Sequence, residues 1–176
     1  MRYQTVFLDR DGVINRQRSD YVKSWDEFEL LPGAIDAIGR LSGTGRDVII
    51  LTNQSAIGRG LVTRKTVDGV HERLSALVTA RGGQIKAFLV CPHAPEEACT
   101  CRKPAPGLFI RAEQELSVDL SAAVMIGDQV SDVEAATAAG CESILVDPLR
   151  ELKLPHELAC TVVKSLTEAV QVICAR

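Results

Sequence analysis

TVFLDRDGVIN, residues 5–15, is the stretch of sequence that decides the fold of this chain. Residues 5–8 form a short apolar run without polar alternation, which predicts a fully buried strand of a parallel sheet. The strand ends at Asp9, and Asp11 follows two residues later, a spacing that points both carboxylates to roughly the same side of an extended loop. Such a pair suits a divalent cation or a nucleophile with an acid/base partner, although Asp and Gly also form ordinary strand-ending turns.

Beyond this stretch, short apolar runs alternate with longer segments of helical periodicity. The predicted strands cover residues 5–8, 47–51, 85–90, 122–126 and 143–146, with 161–163 as a candidate sixth. The predicted helices cover 34–42, 63–81 (N-cap Thr63), 106–116, 131–139 (N-cap Ser131) and a terminal segment from about Leu166. This alternation predicts a doubly wound, Rossmann-like α/β fold with a parallel sheet and helices on both faces.

Length and composition set further limits on the protein. The chain has 176 residues, 46% of them hydrophobic, and a net charge of -3, which suits one soluble domain over residues 1–176. Nothing in this charge balance favours nucleic acid or a membrane surface as a partner, and the N-terminus carries no long apolar run. We therefore expect a cytoplasmic protein, monomeric and acting on a small molecule.

Polar residues follow the other predicted strands where ligands bind in sheets of this kind, at the carboxyl ends. The second strand runs into TNQS at residues 52–55, which offers hydroxyl and amide groups. The fourth runs into GDQVSD at 127–132, and CRKP at 101–104 supplies Lys103. The order carboxylate pair, hydroxyl, lysine and carboxylate resembles that of the haloacid-dehalogenase-like phosphatases over nearly the whole chain.

Within that superfamily, the segments FLDRDGVIN, TNQSAIGRG, CPHAPEEACTCRKPAPG and GDQVSD resemble the D-glycero-D-manno-heptose 1,7-bisphosphate phosphatases. The histidinol-phosphate phosphatases are a near relative with the same cysteine-rich loop. The chain has no room for the large cap domain of many superfamily members. Gln129 departs from the family pattern, which often has Lys there, so a charge role at that position is in doubt.

The resemblance implies a magnesium-dependent phosphatase and assigns its catalytic residues. Asp9 would be the nucleophile and Asp11 the acid/base, with Thr52 and Lys103 stabilising the transferring phosphoryl group. Mg²⁺ would be held by Asp9, the carbonyl of Asp11 and Asp128. Asp132 is expected either to bind a water on the metal or to serve only as a first-turn helix acid.

Four soft ligands lie within eleven residues of a proline-bearing loop, residues 91–103. Cys91, His93, Cys99 and Cys101 form a closed set of three thiolates and one imidazole, which predicts a structural zinc site. Chance clustering and a redox pair are the alternatives, but Cys-x-Cys is not the Cys-x-x-Cys redox spacing. Zinc would order the loop and thereby place Arg102 and Lys103.

Recognition of the substrate is expected to fall on polar residues around the carboxyl ends of the strands. Arg102 is the leading candidate for a second phosphate, because the family resemblance gives it substrate recognition and a guanidinium fits phosphate well. Trp25 and Phe28 are expected to pack the loop against the core, and His71 is expected on the exposed side of a helix without chemistry. The remaining candidates are Asn15, Arg18, Tyr21, Asn53, Gln54, Ser55 and Arg59.

Three functions compete at this point. The first is removal of the C7 phosphate of a heptose bisphosphate through an aspartyl-phosphate, in bacterial surface-polysaccharide precursor synthesis. The second is histidinol-phosphate hydrolysis, which would favour carboxylates rather than arginines around the far end of the substrate. The third is a catalytically inactive zinc-stabilised binding module, which would require a catalytic position to be missing.

Overall fold

The computed structural model describes residues 2–175, and these contain one six-stranded parallel sheet. The strand order is β3-β2-β1-β4-β5-β6, so β1 lies inside the sheet between β2 and β4. The predicted doubly wound parallel fold is confirmed. The strands are β1 (Thr5–Leu8), β2 (Asp47–Asn53), β3 (Ala87–Cys91), β4 (Ala123–Gly127), β5 (Glu142–Val146) and β6 (Thr161–Val163).

Helices cover both faces of the sheet. They are α1 (Ala34–Gly43), α2 (Ser55–Gly58), α3 (Arg64–Ala80), α4 (Gly107–Leu116), α5 (Val130–Ala138) and α6 (Leu166–Cys174). The apolar sides of α1, α3 and α6 pack in one core with Val6 and Leu8, and those of α4 and α5 pack in a second core with Phe7. Neighbouring residues of β1 thus serve opposite cores, which is why the strand is apolar throughout.

The structure corrects two local predictions and confirms a third. Helix α5 has Gln129 rather than Ser131 as its N-cap, because the carboxylate of Asp132 accepts the N–H groups of Asp128 and Gln129 and extends the helix start. His71 is buried rather than exposed, at 4%. Thr63 caps α3 as predicted, its hydroxyl accepting the Thr66 N–H at 3.1 Å.

Residues 9–33, between β1 and α1, lie over the carboxyl edge of the sheet without forming a cap domain. Phe28 is buried in the core and stacks on the partly buried Trp25 at 5.1 Å, as predicted for this loop. Short bridges join Asn15 to Asp11 and to Leu30, which fold the loop back beside β1. Within residues 2–175, no helix combines the length and apolar character needed to cross a membrane.

Candidate active site

Three carboxylates converge where β1 and β4 end. The two strands pair in register, with Leu8 opposite Ile126, and the Asp9 N–H donates to the Ile126 carbonyl at 2.9 Å. Asp9 therefore lies beside the loop that carries Asp128, and the first turn of α5 adds Asp132. Oxygens of these three carboxylates lie within 4.8 Å of one another, a spacing at which one cation can be shared.

Lys103 is buried beneath these carboxylates. Its Nζ lies 2.6 Å from an oxygen of Asp132 and 3.1 Å from Asp9 Oδ1, and it donates to the Leu51 carbonyl at 2.9 Å. Burial alone would lower the pKa of Lys103, but Asp132 and Asp9 outweigh it and raise the pKa above the ordinary value. The lysine therefore places a fixed positive charge beside Asp9.

Asp9 and Asp128 are carboxylates that lack enough positive charge around them. Burial, with a smaller contribution from the neighbouring carboxylates, raises the pKa of Asp9 to about 8 against the opposing charge of Lys103. Burial likewise raises the pKa of Asp128 to about 6. Asp128 Oδ1 is buried without a hydrogen-bond partner among residues 2–175. A buried oxygen without a hydrogen-bond partner, beside carboxyl groups whose pKa values are raised, is suited to bind a hard divalent cation such as Mg²⁺.

Gly12 permits this approach of the two loops. Its φ of 88° lies in the left-handed region, and a Cβ at this position would stand 2.0 Å from Asp128 Oδ2. A larger residue at position 12 would thus displace Asp128 from Asp9.

Asp11 is held as a carboxylate by three side chains. Arg10 Nη2 donates to both of its oxygens, Asn15 Nδ2 donates to Oδ1 at 2.8 Å, and Gln54 Nε2 donates to Oδ2 at 2.7 Å. Burial would raise the pKa of Asp11, but the Arg10 charge and these hydrogen bonds lower it below its usual range. Gln54 also donates to the Thr52 hydroxyl at 2.9 Å, which links Asp11 to that hydroxyl.

A cleft of about 320 Å³ opens above Asp9, a size that suits a small-molecule ligand. Most of the predicted recognition residues line it: Arg18, Tyr21, Asn53, Gln54, Ser55 and Arg102. Asn15 and Thr52 are fully buried at 0% exposure, so they act through neighbours such as Asp11 and Gln54. Arg59 lies outside the cleft and pairs with Glu96 at 2.9 Å.

Two residues of the cleft, Gln17 and Ser131, were not among the recognition residues predicted from the sequence. Their only signals were the position of Gln17 next to Arg18 and that of Ser131 within GDQVSD. Gln129, whose role the sequence left open, also lines the cleft. Asp132 binds Lys103 through one oxygen and the N–H groups of α5 through the other. Both of its oxygens are therefore occupied by donors of the chain itself.

The four predicted zinc ligands converge in the loop after β3. The Sγ atoms of Cys91, Cys99 and Cys101 lie 3.2–3.6 Å apart, and His93 Nδ1 lies 3.2 Å from Cys101 Sγ and 3.6 Å from Cys91 Sγ. A tetrahedral zinc with Zn–S bonds of about 2.3 Å would place its sulfurs roughly 3.8 Å apart. The donor set and spacing fit zinc, and a closed set of four ligands is typical of a structural site.

The loop at residues 91–103, which carries the four predicted zinc ligands, is linked to the active site by hydrogen bonds with the side chain of Asn53. The Asn53 side chain accepts the Lys103 N–H at 3.2 Å and donates to the Lys103 carbonyl at 3.1 Å. The Gly58 N–H donates to the Pro92 carbonyl at 2.8 Å, so helix α2 also rests on this loop. The backbone of Lys103 is thereby held between the cluster of Cys91, His93, Cys99 and Cys101 and the end of β2.

Comparisons with known proteins agree with this geometry. A family model described as HAD-hydrolase-like matches residues 100–169. A Pseudomonas aeruginosa protein named D-glycero-beta-D-manno-heptose-1,7-bisphosphate 7-phosphatase is 42% identical, covering 83% of this chain and 82% of its own. A Mycobacterium bovis relative named as the corresponding alpha-anomer phosphatase is 40% identical, covering 80% and 78%.

Solved structures give the same result. The crystal structure of D,D-heptose 1,7-bisphosphate phosphatase from B. bronchiseptica, complexed with magnesium and phosphate, superposes with a TM-score of 0.91. It is 34% identical in sequence, and the match covers 98% of each chain.

Fold and site together define a haloacid-dehalogenase-like phosphatase, an enzyme that hydrolyses phosphoric monoesters. With 42% identity over four fifths of its length, the chain belongs to the D-glycero-D-manno-heptose 1,7-bisphosphate phosphatase family within that class. The inactive binding module is thereby set aside.

Proposed function

We propose that this enzyme removes the C7 phosphate of D-glycero-D-manno-heptose 1,7-bisphosphate in a magnesium-dependent reaction and leaves the C1 phosphate in place. The observation that carries the proposal is the buried Asp9 carboxylate, set between Lys103 and Asp128 at the base of a cleft. The names of the 35–42% identical relatives support this substrate class.

The residues at the cleft account for both halves of the reaction. An oxygen of Asp9 attacks phosphorus and the bond from phosphorus to the sugar oxygen breaks. Asp11, a carboxylate in the free enzyme, takes up a proton from solvent as the anionic ester binds beside it and gives that proton to the departing oxygen. Asp11 then takes a proton from the water that hydrolyses the aspartyl-phosphate. Lys103, which lines the cleft, stabilises the charge on the transferring phosphoryl oxygens, and Thr52 acts indirectly by accepting a hydrogen bond from Gln54.

Asp9, Asp128 and the carbonyl of Asp11 would hold Mg²⁺, which supplies charge neutralisation between the ester and the carboxylate nucleophile. Asp132 serves this site through Lys103, to which it is paired at 2.6 Å. By keeping the lysine charged and in place, Asp132 fixes the charge beside the nucleophile.

The second phosphate of the substrate needs cations away from Asp9. Arg102 and Arg18 both line the cleft, and a guanidinium matches phosphate in a two-pronged geometry. Tyr21, Asn53 and Ser55 offer groups for the sugar hydroxyls between the two phosphates. Arg59 contributes indirectly, by pairing with Glu96 of the zinc loop.

Zinc in this proposal is structural and orders residues 91–103, while residues 1–176 act as one capless catalytic domain. The enzyme would work as a cytoplasmic monomer on precursors of bacterial surface polysaccharides. It would need neither a nucleic-acid nor a membrane partner.

Phosphate release from a substrate panel tests the proposal. The panel contains both anomers of the heptose bisphosphate and histidinol phosphate, each with Mg²⁺ and with EDTA. We expect one heptose bisphosphate anomer to be hydrolysed fastest, only with Mg²⁺, and Asp9→Asn to reduce release to background. Equal and poor turnover of all three esters would refute the substrate assignment while leaving the reaction class intact.

A further inference from the structure

Arg10 lies between the two aspartates of the DRDG segment and is almost completely buried, its side chain 1% exposed. Its Nη2 donates to both oxygens of Asp11, at 2.9 Å each. A buried guanidinium loses its hydration, so it is stable only where hydrogen-bond acceptors of the protein replace the lost water. Arg10 therefore fixes both oxygens of Asp11 at once, whereas Asn15 and Gln54 each contact a single oxygen.

The other side of Arg10 is fixed by aromatic and imidazole rings. Arg10 Nη1 lies 3.3 Å from His71 Nε2, and because a guanidinium only donates, this nitrogen must be an acceptor. The His71 ring stacks on Phe88 with 4.3 Å between ring centres and 10° between planes. Phe28 presents its ring 5.6 Å from the Arg10 Cζ, within cation–π distance.

We propose that Arg10 is a positioning residue that sets the plane of the Asp11 carboxyl group, and that His71 fixes Arg10 from the opposite side. This inference rests on the proposed function, because it requires Asp11 to exchange a proton with the leaving group. Asn15 and Gln54 hold one oxygen each, whereas Arg10 Nη2 contacts both, so without Arg10 the plane of the carboxyl group depends on two separate hydrogen bonds.

The reaction itself offers a way to isolate this role. With a sugar phosphate, the departing oxygen leaves as a hydroxyl only after it takes the Asp11 proton. With p-nitrophenyl phosphate, the same phosphorus–oxygen bond breaks and the phenolate leaves as a stable anion without that proton. A misplaced Asp11 should therefore slow release of the sugar much more than release of the phenolate.

The test compares kcat/KM for the heptose bisphosphate with kcat/KM for p-nitrophenyl phosphate, because this constant reports the steps through bond cleavage. For Arg10→Lys we expect a fall of roughly 30-fold or more with the sugar ester and about threefold with the aryl ester. His71→Phe keeps a ring against Phe88 but lacks the nitrogen that accepts from Arg10. For this variant we expect a smaller fall in the ratio of the two kcat/KM values, sugar ester over aryl ester. Asp11→Asn gives the largest fall in this ratio that loss of the acid can cause.

Arg46→Lys is the matched control. Arg46 is also buried, at 7%, and donates to backbone carbonyls far from the cleft, so its loss should lower both constants equally if at all. Equal losses on the two esters in Arg10→Lys, or in His71→Phe should the first variant not fold, would overturn the positioning role. A parent enzyme that hydrolyses neither ester would instead overturn the proposed function.

Discussion

The balance of charge around Lys103 decides whether this site can work. Two carboxylates contact its Nζ, and burial leaves no water to replace them. In the proposed reaction the lysine has two tasks: its positive charge offsets the negative charges of Asp9 and Asp132, and it would stabilise the negative charge that grows on a phosphoryl oxygen.

Replacing Lys103 by Gln should lower kcat by roughly 100- to 1000-fold, the loss that follows removal of one stabilising donor in other enzymes. Steady-state phosphate release on the heptose bisphosphate measures the effect. Lys86→Gln is the control, because Lys86 lies at the other end of the sheet and pairs with Asp47 near the surface. A Lys103→Gln enzyme that retains a tenth of the parent kcat would contradict this role.

His71 gives the molecule a defined sensitivity to acid. Burial, helped by the Arg10 charge, lowers the pKa of His71 from 6.5 to about 3. The unfolded chain therefore takes up a proton at this residue below pH 6.5, while the folded chain stays neutral down to about pH 3. The neutral His71 therefore contributes its full share of the free energy of unfolding above pH 6.5, the pKa in the unfolded chain. This contribution is lost as the pH falls from 6.5 toward about 3, the pKa in the folded chain.

His71→Phe should remove this sensitivity. Between pH 7 and pH 5, the parent should lose on the order of 2 kcal/mol more of its free energy of unfolding than the variant loses. Urea unfolding at the two pH values measures both changes, and the difference between proteins cancels contributions from other groups. Parallel losses in the parent and the variant would show that His71 does not titrate in this range.

The sequence located the candidate catalytic carboxylates better than it located the residues that hold them in place. Asp9, Asp11 and Asp128 follow buried strands, so the hydrophobic pattern of the strands and the position after their carboxyl ends were enough to locate these residues. Arg10 and His71 carry no such signal. Arg10 reads as a solvated charge in a loop and His71 as part of a polar helix face, and only tertiary packing reveals that both are buried.

The loop at residues 91–103 carries the four candidate zinc ligands. After Cys91, the last residue of β3, it contains only short 3₁₀ structure at Pro95–Glu97, and most side chains between Cys91 and Cys101 are not buried, so this segment has no apolar core of its own. Four converging ligands replace that core, and Cys101 is followed directly by Arg102 and Lys103. Loss of zinc should therefore disturb the site while leaving the sheet intact.

Cys99→Ser should lose bound zinc and most activity with little change in far-UV circular dichroism. Metal analysis of the purified protein and phosphate release measure the two losses. Cys160→Ser is the matched control, because Cys160 lies outside the loop and close to β6. Full activity in a zinc-free Cys99→Ser protein would refute the ordering role of the metal.

The bounds of β3 are set by pairing with the neighbouring strand rather than by the apolar pattern of its own residues. The sequence placed the third strand at 85–90, but it runs from Ala87 to Cys91, because pairing with β2 sets Ile49 opposite Ala87 and Asn53 opposite Cys91. Apolar character alone could not supply that register. The shift matters for the site, since it carries the first zinc ligand to the end of the strand.

At the scale of the whole molecule, the strand order explains why the cleft lies where it does. From β1 the chain moves to β2 and β3 on one side, and then crosses to β4 on the other. From β4 the chain continues outward to β5, so the connections that follow β1 and β4 lead to opposite sides of the sheet, although Gly12 and Asp128 remain close together. The crevice at such a point is where α/β folds bind their ligands. Alternating strands and helices predicted a parallel sheet, but the order of its strands depends on tertiary packing and was not predicted from the sequence.

This arrangement predicts that Mg²⁺ stabilises the fold as well as the reaction. A cation shared by Asp9 and Asp128 would join the ends of two adjacent strands and stabilise two carboxylates whose pKa values are raised, chiefly by burial and less by neighbouring carboxylates. Saturation at about 100 times the Kd should add about 2.7 kcal/mol, which raises the Tm of a chain of this size by about 5–10 °C. Calorimetry at constant ionic strength, with Mg²⁺ and with EDTA, measures this shift.

Asp128→Asn is the decisive variant for that experiment. Without Mg²⁺ it should be at least as stable as the parent, because one of the converging negative charges is gone and the amide keeps the shape of the side chain. With Mg²⁺ it should show little further rise in Tm, because the ligand across the crevice is lost. A rise as large as that of the parent would place the stabilising cation elsewhere and separate the metal from the β1–β4 crevice.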